Sequence, residues 1–223
     1  MKALLVTLLV SLPTRLADSQ PANGDESHHL IVQGIVTVLA VINPVVCSAI
    51  FLNLTPKLGA AEKRWAAIRI ALSILIILVV SALIGLKILN LFGISLDVFR
   101  IVGGTIIALM GFDMLKGGHT VAQAPPAEDG ANSLGPLIMF AAGPGTITAI
   151  VTLAAHASGR LPMTAIIAAL VGAGVTLVVL LGAVRMASHV NRNTQAIVTR
   201  FMGLIVASMG MQFVLAGLKA FLK

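Results

Sequence analysis

An all-α membrane protein of six transmembrane helices is the fold class this chain predicts. Hydrophobic residues make up 58% of its 223 residues and charged residues 10%, with a mean hydropathy of +1.03. That is too little polar surface to coat a soluble domain of this length. Several apolar runs reach the roughly 20 residues a helix needs to cross hydrocarbon. The runs are continuous, without the in-out alternation of a barrel strand, so helices must satisfy the backbone in lipid.

The first element differs from the rest. Lys2, the apolar run Ala3 to Leu12, Pro13 and the polar residues after it resemble a secretory signal peptide over residues 1–22, with Ala17-Asp18-Ser19 as a cleavage site before Gln20. The run is too short to span a bilayer. From Leu30 onward the spans fall at about 30–54, 66–87, 98–116, 134–156, 163–184 and 197–218. A Gly-, Pro- and polar-rich linker, 117–133, divides a first half, 23–116, from a second, 134–223.

Charge sets orientation, not partner. The net charge of +7 comes from basic residues scattered between apolar runs with few aromatics, which is not a nucleic-acid surface. Lys57, Lys63, Arg64 and Arg69 follow span one, and Arg185, Arg192 and Arg200 follow span five, which places both loops in the cytoplasm and both termini outside. The lone Cys47 has no partner for an intrachain disulfide and reads as a small packing residue.

Two prolines interrupt apolar spans one and four: Asn43-Pro44 and Gly143-Pro144-Gly145, 100 residues apart. At the same offset Arg100 and Gly103 match Arg200 and Gly203, Gly59 matches Gly159, and Gly117 matches Gly217. This reads as a duplication. With three spans per half, the second repeat is inverted relative to the first, and paired broken helices in such repeats point to a binding site near the bilayer midplane.

The chemistry follows from proline. Pro44 and Pro144 lack an N–H and free carbonyls of the preceding turn. The half-helices that start there aim free N–H groups at the membrane interior, which suits an anionic group. Asn43 adds an amide, Gly143 and Gly145 allow close approach, and Thr146 and Thr148 stand at the second helical start. A pocket between the two starts, with no acidic counter-charge in either span, fits a small solute carrying a carboxylate, such as a zwitterionic amino acid. Asn43, Pro44, Gly143, Pro144, Gly145, Thr146 and Thr148 are the expected binding residues.

Other polar positions read as secondary. Asp113, three residues before Lys116, is expected to form an interfacial pair or a solvated helix end. Gln212 in span six is expected to be buried and to hydrogen-bond across helices. Arg100 and Arg200 read as interfacial anchors, with a gating or coupling contact as the alternative for all four. His28, His29 and His156 have no metal-ligand spacing, so no metal and no cofactor is expected. Gly-x-Ser-x-Gly, His-Glu-x-x-His and Walker A patterns are missing, and no enzyme is expected.

Asn43-Pro44 followed by Ile50-Phe51-Leu52-Asn53-Leu54-Thr55, Phe92-Gly93-Ile94-Ser95-Leu96 with Phe99-Arg100-Ile101-Val102-Gly103-Gly104, Asp113-Met114-Leu115, Ala142-Gly143-Pro144-Gly145-Thr146-Ile147, and Val198-Thr199-Arg200-Phe201-Met202-Gly203-Leu204 with Gln212-Phe213 resemble the MarC family of membrane proteins. The resemblance runs from about residue 30 to the C-terminus. It implies two inverted three-helix repeats related to the lysine-exporter superfamily, a bacterial inner-membrane location, and transport of neutral amino acids such as glycine and alanine, with proton coupling. The family's pattern Asn-Pro-x-Gly-Asn-x-Pro is here altered to Val46, Cys47 and Ala49, which makes the first break more apolar.

The expected function is therefore a secondary carrier for small neutral amino acids, its partners being the lipid bilayer and that solute, with homo-oligomers left open. A metal-ion or other small-solute exporter or channel is the alternative. It calls for several intramembrane carboxylates or histidines, of which Asp113 is almost the whole supply.

Overall fold

A computed structural model describes residues 25–116, 134–156, 161–186 and 192–222. The signal-like segment 1–22, the linker 117–133 and the side chains of His28 and His29 lie outside the described residues. The described chain is all helix: α1 (Asp25–Ile42), α2 (Pro44–Leu54), α3 (Ala60–Leu91), α4 (Leu96–Leu115), α5 (Gly135–Ala141), α6 (Pro144–Ala154), α7 (Met163–Met186) and α8 (Arg192–Phe221).

These make six spans long and apolar enough to cross a membrane, with α1 and α2 together forming span one and α5 and α6 forming span four. Two helices outrun the expected spans. α3 covers 32 residues and α8 covers 30, because a helix does not stop where hydrocarbon stops. The start of α3 is fixed by Glu62, whose Oε2 accepts the Gly59 N–H at 2.9 Å, reaching back over the first turn. Its end is a left-handed glycine cap: Gly93 has φ 67, Ile94 N donates to Leu89 O and Gly93 N to Asn90 O. Ser95 then caps α4 by accepting from Val98 N at 3.3 Å.

The two interrupted spans form the centre. In the most apolar stretch of span four 67% of residues are buried, and in span one 50%, against 28 to 39% in the other four. Val38, Ile42, Phe51, Ile74, Leu137 and Ile150 are core residues of this centre. The outer spans turn Leu72, Ile76, Val80 and Leu109 outward, as expected for a surface solvated by lipid tails.

The most extensive packing is α4 against α8, and glycine makes it possible. A Cβ at Gly104 would meet Gly210 O at 2.7 Å, and one at Gly203 would meet Gly111 O at 2.9 Å. Backbone touches backbone there, the close approach that small residues permit between membrane helices. On the other side α3 packs on α6 and α7 packs on α2, a pair of contacts that a 100-residue shift exchanges. The exchange fails for α4 on α6, which is well packed, and α8 on α2, which is sparse.

Candidate solute-binding site

Span one is interrupted at one residue. Asn43 adopts φ 52 and ψ 70, and it is the one non-glycine residue with positive φ among the described residues. Proline disfavours helical backbone in the residue before it, and asparagine tolerates the left-handed region better than most side chains. Pro44 cannot donate to the carbonyl four residues back. Val46 N turns to Asn43 Oδ1 at 3.4 Å, and the Ile42 carbonyl accepts instead from Cys47 Sγ at 3.2 Å. Asn43 is fully buried, and its Nδ2 has no hydrogen-bond partner. An amide left so costs about 1–3 kcal/mol relative to a satisfied one.

Span four is interrupted differently. α5 ends at Ala141, and Gly143 is extended, with φ −81 and ψ −172. A side chain at Gly143 would collide with the Met139 carbonyl, so glycine is required by space and not by φ. Thr146 Oγ1 donates to the freed Ala141 carbonyl at 2.8 Å, and Thr148 Oγ1 donates to Pro144 O at 2.8 Å. No side chain caps α6. The N–H groups of Gly145 and Thr146 therefore open the half-helix without a side-chain acceptor.

The two breaks lie against each other. A Cβ at Gly145 would touch Val41, two residues before Asn43, at 3.6 Å, and Ile107 of α4 at 2.7 Å. Thr148 sits directly over Gly103 of α4, and Gly172 of α7 makes room for Ile42. The structure thus brings Asn43, Pro44, Gly143, Gly145, Thr146 and Thr148 into one buried region at the centre of the bundle; Pro144, beside them in sequence, is exposed.

The region is closed. Asn43 is 0% exposed and Thr146 and Thr148 are each 1% exposed. A cavity of about 470 Å³ lies elsewhere, at the start of α3.

The remaining candidates stay apart from this region. Gln212 is exposed, contrary to the expectation of burial, because α8 turns Gly203, Ala207, Gly210 and Gly217 toward α4 and leaves Gln212 off that face. Asp113 is exposed in the last turn of α4, and among the described residues it makes no ion pair with Lys116. Arg100 is half-buried, pairs with Asp97 at 3.4 Å and keeps a buried Nε without a partner, whereas Arg200 is exposed. Sequence reading passed over Thr152, whose buried Oγ1 also lacks a partner; its signal is a third threonine on α6 after Thr146 and Thr148.

Comparison with known proteins now places the chain. The family described as MarC family integral membrane protein matches residues 28–222. The chain belongs to the MarC family. A UPF0056 membrane protein of Methanocaldococcus jannaschii is 31% identical over 190 residues, covering 82% of this chain and 93% of its own. The UPF0056 inner membrane protein MarC of Salmonella typhimurium is 30% identical over 210 residues, covering 85% and 94%. A UPF0056 membrane protein of Pyrococcus horikoshii is 30% identical over 185 residues, covering 82% and 90%. No solved structure matches the chain. With six spans and this family, it is a multi-pass integral membrane protein embedded in the bilayer.

Proposed function

We propose that this MarC-family chain is a secondary carrier for small neutral amino acids of glycine or alanine size, binding the solute between the breaks at Asn43-Pro44 and Gly143-Pro144-Gly145. The observation that carries the reading is the buried, unpartnered Asn43 Nδ2 at one break and the uncapped start of α6 at the other, where Gly145 lies against Val41. A carboxylate between them accepts from Nδ2 and from the N–H groups of Gly145 and Thr146, satisfying donors that the closed protein leaves idle. The solute's ammonium faces carbonyls freed by Pro44. In a zwitterion the two charges sit a few ångströms apart, so the site needs no ionised side chain.

In this reading the two halves are inverted repeats, both termini are external, and for a bacterium the membrane is the inner one. The closed breaks correspond to an occluded state that opens by movement of one repeat against the other. Protons are the simplest coupling ion, and Asp113, Arg100, Arg200 and Gln212 stand outside the solute site as candidates for coupling or gating.

Flux of labelled glycine and alanine into proteoliposomes tests the proposal. The expected result is saturable uptake with counterflow, and its loss in Asn43→Gly. Flux that neither saturates nor shows counterflow identifies a channel; equal flux in wild type and variant removes Asn43 from the site.

A further inference from the structure

The cavity at the start of α3 belongs to none of this. Its wall carries Glu62, Trp65 and Arg69, with Leu58, Ala66 and Leu134 as apolar neighbours, and its volume is about 470 Å³. Its level in the bilayer follows from α3. At about 1.5 Å per residue the 32 residues of α3 extend well beyond a hydrocarbon layer of about 30 Å. No charged residue occurs between Arg69 and Lys87, so the hydrocarbon begins just after Arg69. Glu62 lies two turns earlier, about 10 Å farther into the headgroup zone. Trp65 stands between them, 66% exposed, at the depth where tryptophan rings prefer to sit.

Neither Glu62 nor Arg69 forms a salt bridge among the described residues. One Glu62 oxygen holds the Gly59 N–H, which orients the carboxylate and leaves the other oxygen for a ligand. The wall is therefore a cation at the hydrocarbon edge, an aromatic ring above it, and an anion farther out.

We infer that this cavity holds the headgroup of an aminophospholipid, a phosphodiester bearing a primary ammonium. Such a lipid carries its phosphate next to the acyl region and its ammonium on the water side, the same order as Arg69 and Glu62. Arg69 donates to the phosphate oxygens, Glu62 accepts from the ammonium, and the apolar neighbours take the start of an acyl chain. A choline headgroup has no N–H to give Glu62. An anionic headgroup without an amine leaves the carboxylate uncompensated.

Trp65 reports directly, since the chain has one Trp and no Tyr. The full chain is reconstituted in phosphatidylcholine vesicles containing a fixed fraction of bromine-labelled phosphatidylethanolamine, phosphatidylglycerol or phosphatidylcholine, and quenching of Trp65 gives relative association constants. Phosphatidylethanolamine is expected to exceed the other two by about five-fold, the worth of roughly one added charge contact at the surface. Glu62→Gln, which keeps an oxygen for Gly59 N–H, lowers it to the phosphatidylglycerol level. Arg69→Gln lowers both of these lipids toward phosphatidylcholine. Equal quenching by all three in the wild type, or phosphatidylglycerol strongest, overturns the assignment. Soluble phosphoethanolamine at millimolar concentration separates lipid from free headgroup: unchanged quenching supports the lipid, and relief of quenching overturns it. Far-UV circular dichroism confirms that each variant is folded.

Discussion

The two helix breaks begin from the same constraint and resolve it in opposite ways. Each half-helix starts on a proline and runs for 11 residues, Pro44–Leu54 and Pro144–Ala154. Each proline pushes the preceding residue out of helical backbone. Asn43 responds by turning left-handed and capping α2 with its own side chain, whereas Gly143 extends and leaves α6 uncapped. At the first break the freed carbonyl of Ile42 is met by a thiol, and at the second that of Ala141 is met by a hydroxyl. The first break therefore contributes a side-chain amide and the second contributes bare backbone N–H groups. A carboxylate can use both kinds of donor at once, and this division of labour is the physical content of the proposed site.

The largest effect is expected where backbone alone makes the break. Gly143→Ala puts a Cβ into the Met139 carbonyl, and Pro144 prevents the chain from swinging away. Overpacking against rigid backbone is expected to cost about 3 kcal/mol or more. Unfolding in detergent micelles, followed by circular dichroism, reads this as a clear drop in Tm. A Tm unchanged from wild type would mean that the second break relaxes easily and that its extended glycine is not under spatial constraint.

At the first break conformation and chemistry can be separated, because Asn43 does two things. Asn43→Ala strains a left-handed residue and removes the cap, for a combined loss of about 2 kcal/mol. Asn43→Gly accepts φ 52 without strain, and with the Oδ1 contact to Val46 as long as 3.4 Å it is expected to cost less than about 1 kcal/mol. Both variants lose the idle Nδ2. The carrier reading therefore expects solute flux to vanish in both while stability falls mainly in the alanine variant. Flux that follows stability would assign Asn43 a purely structural role.

How much of this was legible from residues alone depends on which property is asked for. The spans were legible because length and apolarity need no partner, and the prolines announced where helices stop. Helix rotation was not legible. α8 is apolar nearly all round; Gly203 and Gly210, two turns apart, mark a close-packing face, but which helix meets that face is not written in the sequence. The same blindness hid the asymmetry by which α6 is packed on α4 but α2 is hardly touched by α8. The break residues are neighbours in sequence and could be named from it. Their closure over one another is a matter of tertiary packing, with Ile107 and Val41 against Gly145 and Thr148 seated over Gly103, and no local pattern encodes it.

The smallest expected effects compare the two carbonyl clamps. Thr146→Val keeps the shape of the side chain and removes the hydroxyl, leaving the buried Ala141 carbonyl without that donor, a loss of about 1–2 kcal/mol. Cys47→Ser keeps a donor near the Ile42 carbonyl and replaces a weak S–H by a stronger O–H, while a buried hydroxyl is more costly to desolvate than a thiol. These two terms oppose each other, and the net change is expected to lie within about 0.5 kcal/mol of zero. If unfolding measurements ranked the two variants the other way, the first break would depend on its thiol more than the second depends on its hydroxyl. The side chain of Asn43 would then not be the principal support of its own turn, and the contrast between a side-chain break and a backbone break would fail at the point where it was drawn.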